Sequence, residues 1–278
     1  MKFQYPLSGD AAGIAAISNV VLDINRQPVL CLHGWLDNAA SFIPLAHQMD
    51  DVPLVAIDFP GHGHSKHRGT DAYYYFFDWV QDVVTICRQQ NWQQLTIIGH
   101  SMGGMVATAL AAAFPELVAK IILIDSIGFV TDAPEQSAKQ LREGITSRLK
   151  PASGKPYYAS FVDAAAARHR QSDFYLKEAM ILTERGAVAT TAGVTWRADM
   201  RLRQRSVYRL TPEQAQALML AVKCPVLALL AKDGPFASQA PLAEHFTNLQ
   251  LVWATGGHHC HMTQPAEVAK AIQHFLRA

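Results

Sequence analysis

Leu95-Thr96-Ile97-Ile98-Gly99-His100-Ser101-Met102-Gly103 is the stretch that decides how this chain is read. Leu95 to Ile98 is apolar and mostly β-branched, the composition of a parallel strand buried on both faces. Met105 to Ala113 is apolar and alanine-rich and is stopped by Pro115, as a short buried helix would be. Between them stands Gly-x-Ser-x-Gly, whose glycines leave room for a sharp turn that lifts the Ser101 hydroxyl out of a sheet. A helix starting there also points unpaired backbone N–H groups at any negative charge that develops beside the serine. A Gly-Ser turn alone would mean little. With a strand before it and a helix after it, Ser101 is a candidate nucleophile.

Further segments follow the same logic. Pro28-Val29-Leu30-Cys31-Leu32 reads as a second buried strand and runs directly into His33-Gly34-Trp35. Pro53-Leu54-Val55-Ala56-Ile57 leads into Asp58-Phe59-Pro60-Gly61-His62-Gly63-His64-Ser65. Near the C-terminus lies Gly256-Gly257-His258-His259-Cys260-His261, with His258 seven residues ahead of Pro265. In this order the segments resemble the α/β-hydrolase superfamily. Leu30 through Asn38, and the tail around Cys260 and Met262, are most similar to the serine hydrolase-like (kraken) proteins. The likeness spans essentially the whole chain, with its motifs in the two outer parts.

Composition agrees with such a protein. A chain of 278 residues, half of them hydrophobic, can bury a substantial core and is too apolar to be disordered. A net charge of +1 gives no reason to expect nucleic acid or an anionic membrane surface as partner. The four cysteines, Cys31, Cys87, Cys224 and Cys260, have no paired spacing and read as reduced thiols, which suits a cytoplasmic location. The N-terminal Met1-Lys2-Phe3-Gln4-Tyr5-Pro6 lacks the apolar core of a signal peptide, and no apolar run reaches membrane-spanning length.

Strand-like runs fall at residues 29–32, 53–57, 95–98, 120–124, 225–230 and 249–253, with helix-like segments between most of them. That alternation predicts an α/β fold with a mostly parallel, doubly wound sheet. Residues 126–210 break the rhythm: they are rich in Ala, Arg, Gln and Glu, with loop chemistry from Lys150 to Pro156. A single crossover needs about a dozen residues, so this segment is expected to be an all-helical cap or lid. Residues 1–125 and 211–278 would then form the α/β-hydrolase core.

The resemblance implies a division of labour. Ser101 would attack, His258 would take its proton, and the backbone N–H groups of Trp35 and Met102 would form the oxyanion hole. His259 and His261 are rivals for the base, and also candidates for metal binding with His62, His64 and His67. These histidines lack the carboxylate or cysteine partners and the helical spacing of a zinc site, so no metal and no cofactor is expected. For the acid, the family offers two places. Counting from Pro225 puts the one after the later strand at Gly234, with Asp233 one residue early. The other lies at the end of Lys120-Ile121-Ile122-Leu123-Ile124, where Asp125 would face the crevice in which α/β enzymes keep their sites. Asp125 is the expected acid and Asp233 its rival. Asp58 is expected to cap turn amides instead, with glycines of its turn at positive φ. His33 is expected to hold its loop. Thr195-Trp196-Arg197-Ala198-Asp199 would either line the pocket or pack inside the cap.

These readings predict a carboxylesterase for small to medium acyl esters, monomeric or homodimeric, with a small-molecule ester as its partner. A C–C bond hydrolase, thioesterase or lactonase would use the same residues. A binding protein without catalysis is the alternative of another class.

Overall fold

In the computed structural model, residues 3–5, 7, 13–21, 27–150 and 154–278 are described. Met1, Lys2 and Pro6 of the N-terminal segment, and Pro151 to Ser153 of the expected loop, lie outside the described residues.

Ten strands form, in chain order: β1 (Phe3–Tyr5), β2 (Ala16–Ser18), β3 (Val29–Leu32), β4 (Leu54–Ile57), β5 (Leu95–His100), β6 (Val118–Ile124), β7 (Ala187–Thr190), β8 (Gly193–Trp196), β9 (Val226–Ala231) and β10 (Leu249–Ala254). Eight of them make one sheet in the order β1-β2-β4-β3-β5-β6-β9-β10. Pairing is parallel from β4 through β10, while β1 and β2 add an antiparallel edge. Leu54–Ile57, residues 121–124 of β6 and Val226–Ala231 are continuous buried runs of Val, Ile, Leu and Ala because helices cover both faces there. At the sheet edge, by contrast, β10 leaves Gln250 and Trp253 exposed.

Each covering helix shows why it docks. Phe76–Gln89 buries Trp79, Val80, Val83, Val84, Ile86 and Cys87, one stripe at helical spacing. Met102–Ala113 lies deepest on that face and is buried nearly all round. On the opposite face Pro265–Arg277 buries Val268, Ala269, Ile272 and Phe275 against β9, β10 and the Phe42–Met49 region. Among the described residues no helix is long and apolar enough to cross a membrane. The four cysteines are free thiols.

Residues 126–210 depart from the expected all-helical form. Helices Ser137–Leu149, Phe161–His169 and Leu176–Gly186 are followed by the β7–β8 hairpin. The reason is local: Val188, Thr190, Val194 and Thr195 favour extended backbone, and Gly193 takes a φ of 119° at the turn. Tyr158 extends this small sheet through paired bonds to Val194 at 2.8 Å each. Thr131 and Leu210 form a bridge at the neck of the segment.

Two charged clamps hold this segment on the sheet domain. Arg185 meets the fully buried Asp58 carboxylate with Nε 3.0 Å from both oxygens, while Asp58 also accepts from the Ala39 and His64 amides at 2.7 Å. Asp58 thus caps the turn in which Gly61 and Gly63 have φ of 86° and 49°, and it anchors the insertion as well. Asp199 is the second clamp. Its N–H donates to Gly61 O at 2.9 Å, and its carboxylate accepts from Tyr74 Oη–H and the Arg201 guanidinium. Burial alone would raise the Asp199 carboxyl, but these bonds to Arg201 and Tyr74 hold it down at about 2.

A carboxyl whose pKa is about 2 in the fold and near 3.8 unfolded stabilises the fold fully above the higher value. That contribution is lost as pH falls through the lower one. Urea unfolding of Asp199→Asn should therefore show lower stability than the parent at pH 6 and a smaller difference at pH 2.5. An unchanged difference across that range would remove Asp199 as an acid-sensitive clamp. Arg185→Ala, which strands the buried Asp58 charge, should cost about 3–5 kcal/mol in the same assay.

Candidate active site

Ser101 stands on the turn between β5 and the helix Met102–Ala113, with φ 50° and ψ −119°. A non-glycine residue there carries strain of about 1–3 kcal/mol, which the surroundings must hold in place. They do so through the backbone: Ser101 N–H donates to Ile124 O at 3.1 Å, and Ser126 Oγ–H donates to Ser101 O at 2.8 Å. Gly103 lets the helix start approach β3, because a Cβ there would collide with the Leu32 carbonyl. The Ser101 side chain is thereby raised into a cavity of about 460 Å³. Trp35, Trp79, Met105, Phe129, Tyr208 and Phe236 give it an apolar wall, and Arg209 and Ser206 add the polar edge.

Asp125 ends β6, one strand over. Its backbone takes a φ of 38°, and its N–H donates to Leu229 O on β9 at 2.7 Å. The carboxylate is fully buried: Oδ1 accepts from Ala231 N–H at 3.1 Å, and Oδ2 lies 2.6 Å from His258 Nδ1. The His258 ring stacks on Phe236, a wall of the Ser101 cavity, with centroids 5.8 Å apart. Asp233 is exposed on the neighbouring turn, where its N–H donates to Gly256 O at 3.1 Å. Next to it, a Cβ on Gly234 would sit 2.5 Å from both Asp125 oxygens. At the position where the count from Pro225 places the family's other acid, this chain has a glycine, and the Asp125 carboxylate fills the space.

Trp35 and Met102 both line the cavity beside Ser101. Among the described residues neither backbone N–H has a protein acceptor. The Trp35 indole is tied to the insertion, donating to Leu202 O at 3.1 Å. His33 is a loop brace: fully buried, its Nε2 accepts from Phe59 N–H at 3.0 Å and its Nδ1–H donates to Gly34 O at 2.8 Å. Burial keeps it neutral by pushing its pKa down. His62 braces the same loop by accepting from Leu36 N–H at 3.2 Å, and burial lowers it to about 3. Trp196 lies away from Ser101: it walls a second cavity of about 360 Å³ and packs on Tyr158.

His100, His259 and His261 form a group that the sequence did not reveal. His259 is clamped between two carboxylates, with Nδ1 2.5 Å from Asp173 Oδ1 and Nε2 3.3 Å from Asp37 Oδ2. Burial would lower its pKa, but Asp37 and Asp173 raise it to about 9. Burial acts the other way on Asp37, yet His259 and Arg168 hold that carboxyl well below the usual range. Arg168 donates to Asp37 Oδ1 at 2.6 Å. His100 and His261 are fully buried and, mainly for that reason, have depressed pKa values, His261 to about 3. His62, His64 and His67 lie apart from this group, around Asp58 and Asp199. Asp37 belonged to a quoted motif, whereas Arg168 and Asp173 sat in the segment with no motif to mark them.

Gly234→Ala should push the Asp125 carboxylate away from His258. Proton NMR can follow this through the far-downfield resonance of the short Nδ1–H···Oδ2 bond. The resonance should vanish in Gly234→Ala and persist in Asp233→Asn. Its survival in Gly234→Ala would mean that the loop yields instead.

Comparisons with known proteins identify the family. Residues 27–265 match the family described as alpha/beta hydrolase fold. A serine hydrolase-like protein of Danio rerio is 33% identical over 266 residues, covering 90% of this chain and 82% of the relative. Serine hydrolase-like protein 2 of Homo sapiens is 32% identical over 278 residues, covering 91% and 88%. The crystal structure of a hypothetical protein from Pseudomonas aeruginosa superposes with a TM-score of 0.89 at 34% identity, covering 95% of this chain and 96% of that one. The chain belongs to the alpha/beta-hydrolase family, and within it to the serine hydrolases grouped with these serine hydrolase-like proteins.

Proposed function

We propose that the chain is a carboxylesterase for small to medium acyl esters, with Ser101 as nucleophile, His258 as base and Asp125 as the acid that orients it. The observation that carries this reading is the apolar cavity of about 460 Å³ that ends on Ser101 beside the His258–Asp125 pair. Its wall accepts an acyl chain and offers little to a highly charged substrate.

In this mechanism Ser101 Oγ attacks the ester carbonyl as His258 Nε2 takes its proton. Asp125 keeps Nδ1–H directed away from the serine and stabilises the imidazolium that forms. The carbonyl oxygen, now negative, is met by the Trp35 and Met102 N–H groups, which have no competing acceptor among the described residues. Collapse of the tetrahedral intermediate expels the alcohol, which receives the proton from His258. Water then attacks the carbonyl of the acyl-enzyme as His258 takes its proton. The bond from the acyl carbon to Oγ breaks, His258 returns the proton to Ser101 Oγ, and the acid leaves. Residues 126–210 act as the cap, since Phe129, Val130, Tyr208 and Leu210 close the cavity over Ser101. The free thiols fit a reducing, cytoplasmic setting.

Hydrolysis of a series of p-nitrophenyl esters tests this reading. Ser101→Ala should abolish turnover with the melting temperature kept or raised, because the change removes the hydroxyl and little volume. Asp125→Asn should lower kcat at least about a hundredfold, as an orienting aspartate contributes on the order of 10⁴-fold in serine proteases. Asp233→Asn should stay within about tenfold of the parent. If Asp233→Asn were the more damaging change, the acid would belong to the later turn.

Chain-length preference tests the cap. Phe129→Ala and Tyr208→Ala should shift the optimum towards longer acyl chains, while Trp196→Ala, in the other cavity, leaves the rank order unchanged. An equal loss on all esters in the first two variants would count against a selective cap.

A further inference from the structure

One residue before Ser101, three side chains from distant parts of the chain converge. Asp37 comes from the loop after β3, His100 from the end of β5, and His259 from the loop after β10. Asp37 Oδ2 lies 3.3 Å from His259 Nε2 and 3.7 Å from His100 Nδ1, and the three atoms all lie within 4.8 Å of one another. All three residues are buried.

The surroundings settle which ring nitrogen of His100 is free. Its Nε2–H donates to the His258 carbonyl at 2.9 Å, so Nδ1 carries a lone pair. That nitrogen is buried and has no hydrogen-bond partner. It faces the Asp37 carboxylate at 3.7 Å, so two buried acceptors confront each other. Asp37 already accepts from Arg168 and His259, but His100 Nδ1 is left without a partner, a lack that a cation shared with Asp37 would satisfy. Space for one exists because residue 34 is glycine: a Cβ there would lie 2.9 Å from His100 Nδ1 and 3.2 Å from Asp37 Oδ2.

We propose that Asp37, His100 and His259 bind one divalent transition-metal ion of the zinc type. Two imidazole nitrogens and one carboxylate oxygen suit zinc, whereas calcium and magnesium require oxygen-rich sets. Ligand atoms around a tetrahedral zinc ion stand about 3.3–3.5 Å apart, close to the 3.3 and 3.7 Å found here. The outer partners are in place too. Asp173 accepts from His259 Nδ1–H, and the His258 carbonyl accepts from His100 Nε2–H, the two kinds of bond that orient metal-bound histidines. Arg168 takes only Oδ1 of Asp37 and leaves Oδ2 to the ion. His261, whose ring centre is 4.2 Å from that of His100 and whose nitrogens are unpaired, packs beside the set. Asp37 and Arg168 also line the cavity of about 360 Å³, which reaches the group from the Asp37 side. On binding, the ion replaces the proton on His259 Nε2, which leaves to solvent. The bound ion would tie the residue before Ser101 to the loop that carries His258.

Titration of the EDTA-treated, full-length chain with zinc chloride by calorimetry tests the site, together with cobalt(II) absorption spectroscopy. The expected result is one ion per chain, a raised melting temperature, and visible cobalt bands of a low-coordinate nitrogen–oxygen site. His259→Gln and Asp37→Asn should each weaken binding at least about tenfold, while His258→Gln keeps it within about threefold. Absence of stoichiometric zinc binding and of cobalt bands in the parent chain would overturn the proposal, with no variant needed. So would binding that survives in His259→Gln and is lost in His258→Gln, since the ion would then sit on the catalytic histidine.

Discussion

Everything at the site depends on the left-handed backbone at Ser101. The residue takes a φ of 50° only because β5 ends against β6 and the following helix begins against β3. Tight docking of that helix needs a glycine at position 103, and the turn needs the Ile124 carbonyl and the Ser126 hydroxyl as anchors. Core packing of Met102–Ala113 between sheet and outer helices therefore does more than stabilise the protein. It holds a strained turn that an isolated peptide would relax, and the strain keeps the hydroxyl in the cavity.

The histidine loop is held from two sides. Asp125 fixes His258 through Nδ1, while Asp37 and Asp173 clamp its neighbour His259. Adjacent residues thus have opposite surroundings: one ring is 22% exposed beside the Ser101 cavity, and the other is buried in a charged network. Arg168 and Asp173 supply part of that network from the insertion, so the segment also braces the loop that bears His258.

What the sequence reveals here follows from how local each feature is. The parallel strands were legible because burial on both faces leaves continuous apolar runs, as in Ile121 to Ile124 and Val226 to Ala231. The edge strand Ala16–Ser18 is too short for such a signal, and the β7–β8 hairpin was hidden in a segment whose composition reads as helical. Ser101 was legible because strand, turn and helix are contiguous. Asp125 could be favoured by counting, yet its reason is three-dimensional: Gly234 leaves the room that its carboxylate occupies. The Asp37–His100–His259 group could not be read at all. Its members become neighbours only when β3, β5 and the loop after β10 come together at one end of the sheet, and the carboxylate that the histidines lacked in sequence arrives from Asp37.

Labelling with a fluorophosphonate, followed by peptide mapping, tests most directly whether this strained serine is the activated nucleophile. The geometry predicts a single phosphonylated residue, Ser101, with labelling slowed by orders of magnitude in His258→Gln. A folded protein that takes no label, or takes it on another serine, would contradict the assignment.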